Sequence, residues 1–149
     1  MNGSKMLPPT YLLIAIAVMV LLHFVFPIMT IVSLPWNLLG IVPLVVGVVI
    51  NMVADNTFRR ANTPIKPFEE PTALVTGGMY QVSRNPMYLG FVLILVGIAI
   101  LLGSVMPYIV IPVFMILIEK SFIRVEEQGL KQKFGQQWLE YKQRVRRWV

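Results

Sequence analysis

A small set of side chains in two short stretches could do chemistry together. Gly77 and Gly78 signal a turn, followed by Tyr80, Arg84, an Asn85-Pro86 helix start and Tyr88, and far along the chain Glu126 and Glu127 stand near the end of a long apolar run. Carboxylates can neutralise an ammonium or accept hydrogen bonds from a ribose diol, while aromatic faces attract an onium group such as a sulfonium. Asparagine at a helix cap and proline at the first helical position would aim free backbone N–H groups and the positive dipole end at the same region, which favours an anionic or polar ligand group. A simpler reading has Asn85 only capping its helix, and Glu126 and Glu127 pairing with Arg124 or Lys131 on a solvated face. The chain has no cysteine, which excludes disulfides, thiolate metal sites and cysteine nucleophiles. It carries no metal-ligand spacing, nucleophile triad, phosphate loop or dinucleotide fingerprint.

The elements that must position these groups belong in a bilayer. Of 149 residues 56% are hydrophobic and 13% charged, far from the composition of a soluble domain. Residues 11–29 are apolar enough to span, since roughly 20 residues at 1.5 Å rise cross a hydrocarbon core of about 30 Å. They read as a retained transmembrane helix rather than a signal peptide, because no convincing cleavage site follows. His23, the only histidine, reads as hydrogen-bonded to a neighbouring helix rather than as a ligand. A second helix is expected from Pro35-Trp36 to about Asp55, kinked at Pro43, with Gly40 and Gly47 allowing close helix approach and Arg59 and Arg60 snorkelling to headgroups. Residues 61–83 are rich in proline, threonine and glycine and read as a functional connection. Residues 88–118 divide into two spans at Gly103-Ser104 and Pro107, with Pro112 kinking the second. The last helix continues through Glu119 and Arg124 to about Phe134 and stops at Gly135. Trp138, Tyr141, Val145 and Trp148 then recur at helical spacing among cations, the pattern of a short amphipathic helix whose aromatic stripe anchors it on an anionic surface.

Charge distribution sets the expected topology. The cations number 13, giving a net charge of +6: Lys5 in the first tail, Arg59, Arg60, Lys66 and Arg84 in the central connection, and the rest from Lys120 onward. The other connections carry none. That segregation predicts about four spans with both termini in the cytosol and the chemistry-bearing stretches on the cytosolic face. The cations flank apolar runs rather than lining a groove with stacking aromatics, so the expected partner is a lipid surface and not nucleic acid. The fold class read here is an all-α, multi-pass integral membrane protein with a cytosolic C-terminal half and a short interfacial helix.

Leu74-Val-Thr-Gly-Gly-Met-Tyr, Arg84-Asn-Pro-Met-Tyr-Leu-Gly, Arg124-Val-Glu-Glu, Lys133-Phe-Gly and Leu139-Glu-Tyr-Lys follow one another in an order that resembles the C-terminal signature of the isoprenylcysteine carboxyl methyltransferase and phospholipid methyltransferase superfamily. The resemblance covers roughly residues 60–147. It implies an integral membrane enzyme using S-adenosylmethionine, without a metal, in a cytosol-facing pocket that a lipophilic acceptor enters from the bilayer. It divides a single membrane domain, residues 1–149, into an N-terminal helix pair (1–58) and a cofactor-binding core (59–149). Transferred position by position, Thr72, Ala73, Leu74, Val75, Tyr80, Asn85, Pro86, Met87, Tyr88 and Glu126 would bind the cofactor. Arg84 and Glu127 would stand at the reacting centre. Asn85 replaces the histidine typical of the isoprenylcysteine enzymes, which brings the motif closer to the phospholipid methyltransferases. Phe122 stands where the isoprenylcysteine enzymes place a substrate-contacting arginine, with Arg124 or Lys120 as possible substitutes. The acceptor is then a carboxylate held by Arg84 or a phospholipid amine deprotonated by Glu127. A structural or transport-accessory membrane protein is the alternative of another class.

Overall fold

Prolines, glycines and long apolar runs set where the helices start, touch and end. In the computed structural model, which describes residues 6–64 and 68–149, α1 spans Pro8–Val25 and begins on proline, whose fixed φ suits a first turn. A 3-10 turn, Trp36–Gly40, leads into α2, Ile41–Arg60. Helix α3 is Pro86–Leu102 and α4 is Met106–Ile118. One π-type turn, Glu119–Ile123, joins α4 to α5, Arg124–Arg144. Among the described residues there is no strand, only an isolated bridge between Thr30 and Ser104. Lys5 and Lys66 of the charge pattern lie outside the described residues.

Helix α3 is the centre of the bundle, in contact with α1, α2 and α4. Its interface with α2 is built on glycine pairs, Gly40 with Gly97 and Gly47 with Gly90, where a Cβ on any of the four would press on the facing carbonyl oxygen. Such close approach gives backbone packing that larger residues cannot reach. Gly97→Ala, whose methyl would lie 2.6 Å from the Gly40 oxygen and 2.7 Å from the Leu44 nitrogen, is expected to destabilise by about 1–3 kcal/mol as an overpacked contact. Gly129→Ala, whose methyl meets nothing within 4 Å, should cost nothing in the same thermal unfolding series in detergent.

The two uncharged connections meet at one end of the bundle. Ile31 and Val32 N–H groups donate to the Gly103 carbonyl at 2.8 and 3.1 Å, and Val105 N–H donates to the Met29 carbonyl at 3.1 Å. Gly103 ends α3 at φ +73°, where Val32 presses against the place a Cβ would occupy, so both backbone conformation and space select glycine. His23 Nδ1 lies 2.8 Å from Ser104 Oγ, so it is hydrogen-bonded as expected, but to the connection between α3 and α4 rather than to a helix.

Leu13, Phe24, Val42 and Met52 are exposed, although a large apolar exterior is unstable in water. Pro8–Val25, Trp36–Arg60 and Met106–Arg144 are long and apolar enough to cross a membrane, and Pro86–Leu102 is a shorter apolar helix. The chain is an integral membrane protein. The expected hairpin at 103–107 is present as α3 and α4. Three local expectations change. Helix α2 starts after the 3-10 turn and runs to Arg60, so Pro43 stands in its first turn, where a missing N–H costs little, rather than at a mid-helix kink. Gly135 adopts φ +49° inside the residues assigned to α5; it breaks the helix, but a second helical stretch follows at once.

The aromatic stripe beyond that break also behaves differently from expectation. Trp138 and Tyr141 are each 3% exposed and pack with Ala54, Tyr80 and Val145, against Phe58 and Leu74. They face protein, not lipid. The spacing that makes a helix amphipathic is the same whether its apolar face meets a bilayer or a neighbouring element.

Candidate active site

A cavity of about 430 Å³ lies among the residues on either side of α3's start and both parts of α5, within the range of roughly 300–1,000 Å³ common for small-molecule sites. Its walls come from the connection before α3, the first turn of α3, the start of α5 and the stretch after Gly135. Pro86 fixes the start of α3, so that Tyr88 points back across to α5. There Tyr88 Oη donates to Glu126 Oε1 at 2.6 Å. On the other side, Tyr141 Oη donates to the Tyr80 carbonyl at 2.6 Å, and Tyr80 stacks edge-on against Phe58 with ring centroids 5.3 Å apart. Burial first, then the nearby Glu126 charge, pushes the Tyr80 phenol well above its ordinary range, so it is neutral at physiological pH.

Arg84 forms the charged corner. Its side chain is 7% exposed and its Nη2 lies 3.4 Å from Glu127 Oε1. The guanidinium sits over the Trp138 ring at 5.5 Å from the centroid. Its Nε and Nη1 are buried without a hydrogen-bond partner. Burial lowers the Arg84 pKa, with Glu127 opposing that shift and Arg147 adding to it. Orphaned buried donors of this kind are rare and call for an acceptor. Glu127 is held elsewhere as well: Arg147 Nε donates to its Oε1 at 3.1 Å and Arg147 Nη2 to its Oε2 at 2.7 Å.

Of the residues expected from sequence, Ala73, Leu74, Val75, Tyr80, Arg84, Asn85, Met87, Tyr88, Glu126 and Glu127 line the cavity. Thr72 does not: its N–H donates to Thr63 Oγ1 at 3.0 Å and its hydroxyl to the Asn62 carbonyl at 2.8 Å, so it shapes the connection behind the wall. Pro86 is buried at the start of α3 and is not among the residues that line the cavity. Arg124 lies outside, exposed and ion-paired with Glu119 at 3.1 Å. Phe122 is core, packed edge-on to Tyr11 with centroids 5.2 Å apart. Asn85 sits at the cap position but makes no capping hydrogen bond with its side chain; instead its Nδ2 donates to the Arg147 carbonyl at 3.1 Å.

Sequence reasoning missed Trp138 and Tyr141 as cavity walls, the first residues of α1, and Arg147. Leu7, Pro8 and Pro9 close an apolar flank together with Phe91 and Val125. The three- and four-residue spacing of the aromatic stripe marked it as one face, but carried nothing about what it faces. Arg147 read as one more surface cation.

An S-adenosylmethionine molecule offers a sulfonium, an ammonium, a carboxylate and a ribose diol. The donor set fits it: Glu126 has one oxygen engaged by Tyr88, and aromatic rings form the walls. Among the described residues no group of three His, Asp or Glu side chains could hold a metal ion.

Residues 36–137 match the family model described as "Phospholipid methyltransferase". The chain belongs to this family of membrane proteins, within the superfamily that includes the isoprenylcysteine methyltransferases. It is 35% identical over 108 residues to "Protein-S-isoprenylcysteine O-methyltransferase B" of Arabidopsis thaliana, a match covering 71% of this chain and 55% of that protein. Against "Protein-S-isoprenylcysteine O-methyltransferase" of Saccharomyces cerevisiae it is 36% identical over 80 residues, covering 52% of this chain and 32% of the relative. An uncharacterized protein of Haemophilus influenzae is 38% identical over 63 residues, which cover 42% of this chain and 100% of that one. The chain thus spans about half the length of the plant relatives it matches.

Proposed function

We propose that this chain transfers a methyl group from S-adenosylmethionine to the carboxylate of a lipophilic acceptor, of the isoprenylcysteine kind, at the membrane–cytosol interface. The observation that carries the reading is the cavity itself, which joins the Tyr88–Glu126 pair to a buried arginine with two unsatisfied donors and to an apolar flank. When bound, the cofactor supplies an electrophilic methyl group on its sulfonium. Glu126, fixed by Tyr88, accepts hydrogen bonds from the cofactor's polar groups. The aromatic walls favour a cation and exclude water. Arg84 binds the acceptor's anionic group, and the flank of Leu7, Pro9, Phe91 and Val125 receives its hydrocarbon. An already ionised carboxylate needs alignment more than a base, so proximity and electrostatic fit carry the rate.

Methylation of a phospholipid amine is the second reading, favoured by the family name. It needs a base to remove an ammonium proton. Both oxygens of Glu127 are taken by Arg147, which supports the carboxylate acceptor instead. Calorimetric titration of detergent-solubilised protein with S-adenosylhomocysteine tests the proposal: saturable one-site binding is expected, and no binding removes it.

The cavity is proposed to face the cytosol, on the side of the cations. With no native cysteine, single cysteines report topology cleanly. Ser33→Cys is expected to react with an impermeant thiol reagent in intact cells, and Gln136→Cys only after permeabilisation. Both positions are exposed, so the opposite pattern would reverse the orientation.

A further inference from the structure

The last residues of the chain are stitched to the motif that starts α3. Arg84 N–H donates to the Arg146 carbonyl at 3.0 Å. Ser83 Oγ and Asn85 Nδ2 donate to the Arg147 carbonyl at 3.2 and 3.1 Å. The Arg147 side chain then reaches back over α5, engaging both oxygens of Glu127 and, through Nη1, Glu119 Oε1 at 2.9 Å.

Two guanidinium groups therefore face one carboxylate. A carboxylate is held best by one planar fork in a two-point contact, so the two arginines compete for Glu127. Arg147 has the shorter contacts and a second anchor in Glu119, while Arg84 keeps one longer contact at 3.4 Å and two buried donors with no partner. Left alone with Glu127, Arg84 would be drawn into the two-point contact itself, and its donors would turn away from the cavity.

We propose that Arg147 is a positioning residue: by occupying Glu127 it prevents an internal ion pair at Arg84 and so keeps Arg84 available to the carboxylate of the acceptor. This rests on the reading of Arg84 as the acceptor's cation. It makes the C-terminal tail a working part of the site, acting through Glu127 without touching substrate.

The test compares binding of N-acetyl-S-farnesylcysteine and of its methyl ester to the full chain in detergent, without cofactor. Because a hydrogen bond to a charged group is worth about 1.5–3 kcal/mol, wild-type protein should bind the free acid at least about tenfold more tightly than the ester. Arg147→Gln should bring that ratio to within about threefold, since Glu127 then satisfies Arg84 internally. Removing the second charge reverses the effect: in the double variant Arg147→Gln, Glu127→Gln the preference for the acid returns. A merely structural tail contact gives no such rescue, and the double variant would then be no better than the single. If Arg147→Gln does not fold, Arg147→Lys, which keeps the charge but loses the fork, should lower the ratio part way. The proposal is overturned by equal binding of acid and ester in the wild type, by an unchanged ratio in the Arg147 variant, or by absence of rescue. S-adenosylhomocysteine binding, followed in parallel, is expected to be unchanged; its absence in the wild type would sink the proposed function while the acid-to-ester ratio still decides the role of Arg147.

Discussion

Glu126→Gln is expected to weaken S-adenosylmethionine binding by about 1.5–3 kcal/mol, roughly 10- to 150-fold, while leaving the fold intact. The carboxylate accepts from Tyr88 at 2.6 Å, and an amide oxygen can still accept that bond. What glutamine cannot supply is negative charge opposite the cofactor's cationic groups, together with a second oxygen that only accepts. Calorimetry on the solubilised variant reads the loss, and circular dichroism confirms the helices. Unchanged affinity in a folded Glu126→Gln protein would remove this residue from the binding wall. Tyr88→Phe should show a smaller loss, because it frees Glu126 without discharging it.

Glu127→Ala should act on stability instead. It leaves Arg84, 7% exposed, and Arg147 facing each other with no carboxylate between them. Removing one partner of a buried pair typically costs about 3–5 kcal/mol, because the remaining charge stays desolvated. Asp55→Ala is the contrast: its pair with Arg59 joins side chains that are 34% and 71% exposed, and such surface pairs contribute about 0–1 kcal/mol. Thermal unfolding of both variants in the same detergent separates the two cases. Equal shifts would mean that the Arg84–Glu127–Arg147 cluster is solvated and cannot hold Arg84 in place.

What could be read from the chain beforehand follows a physical division. Long apolar runs, prolines at helix starts and the glycines at 40, 47 and 103 carry local or one-dimensional information, and the helices stand close to where those residues put them. The pairing of Tyr88 with Glu126 lay within reach because both belong to ordered motifs that resemble one family. The stripe of Trp138 and Tyr141 was visible as a stripe, but its partner depends on how sharply the chain turns at Gly135, and a single glycine does not specify that angle. Pro43 shows the same limit at short range: a shift of a few residues in the start of α2 converts a kink into a first-turn proline. Arg147 was least legible of all. Its role comes from two carboxylates, Glu119 and Glu127, that face it only once the tail has folded back beside Ser83 and Asn85.

The most direct measurement supplies the solubilised protein with S-adenosylmethionine labelled in its methyl group, together with N-acetyl-S-farnesylcysteine or a total lipid extract, and follows label into the organic phase before and after mild alkali. The account predicts incorporation that depends on the protein, is blocked by S-adenosylhomocysteine, and is released by alkali as labelled methanol, the behaviour of a carboxyl ester. Label that enters lipid and withstands alkali would assign the methyl group to an amine, and no incorporation into either acceptor would contradict methyl transfer by this chain.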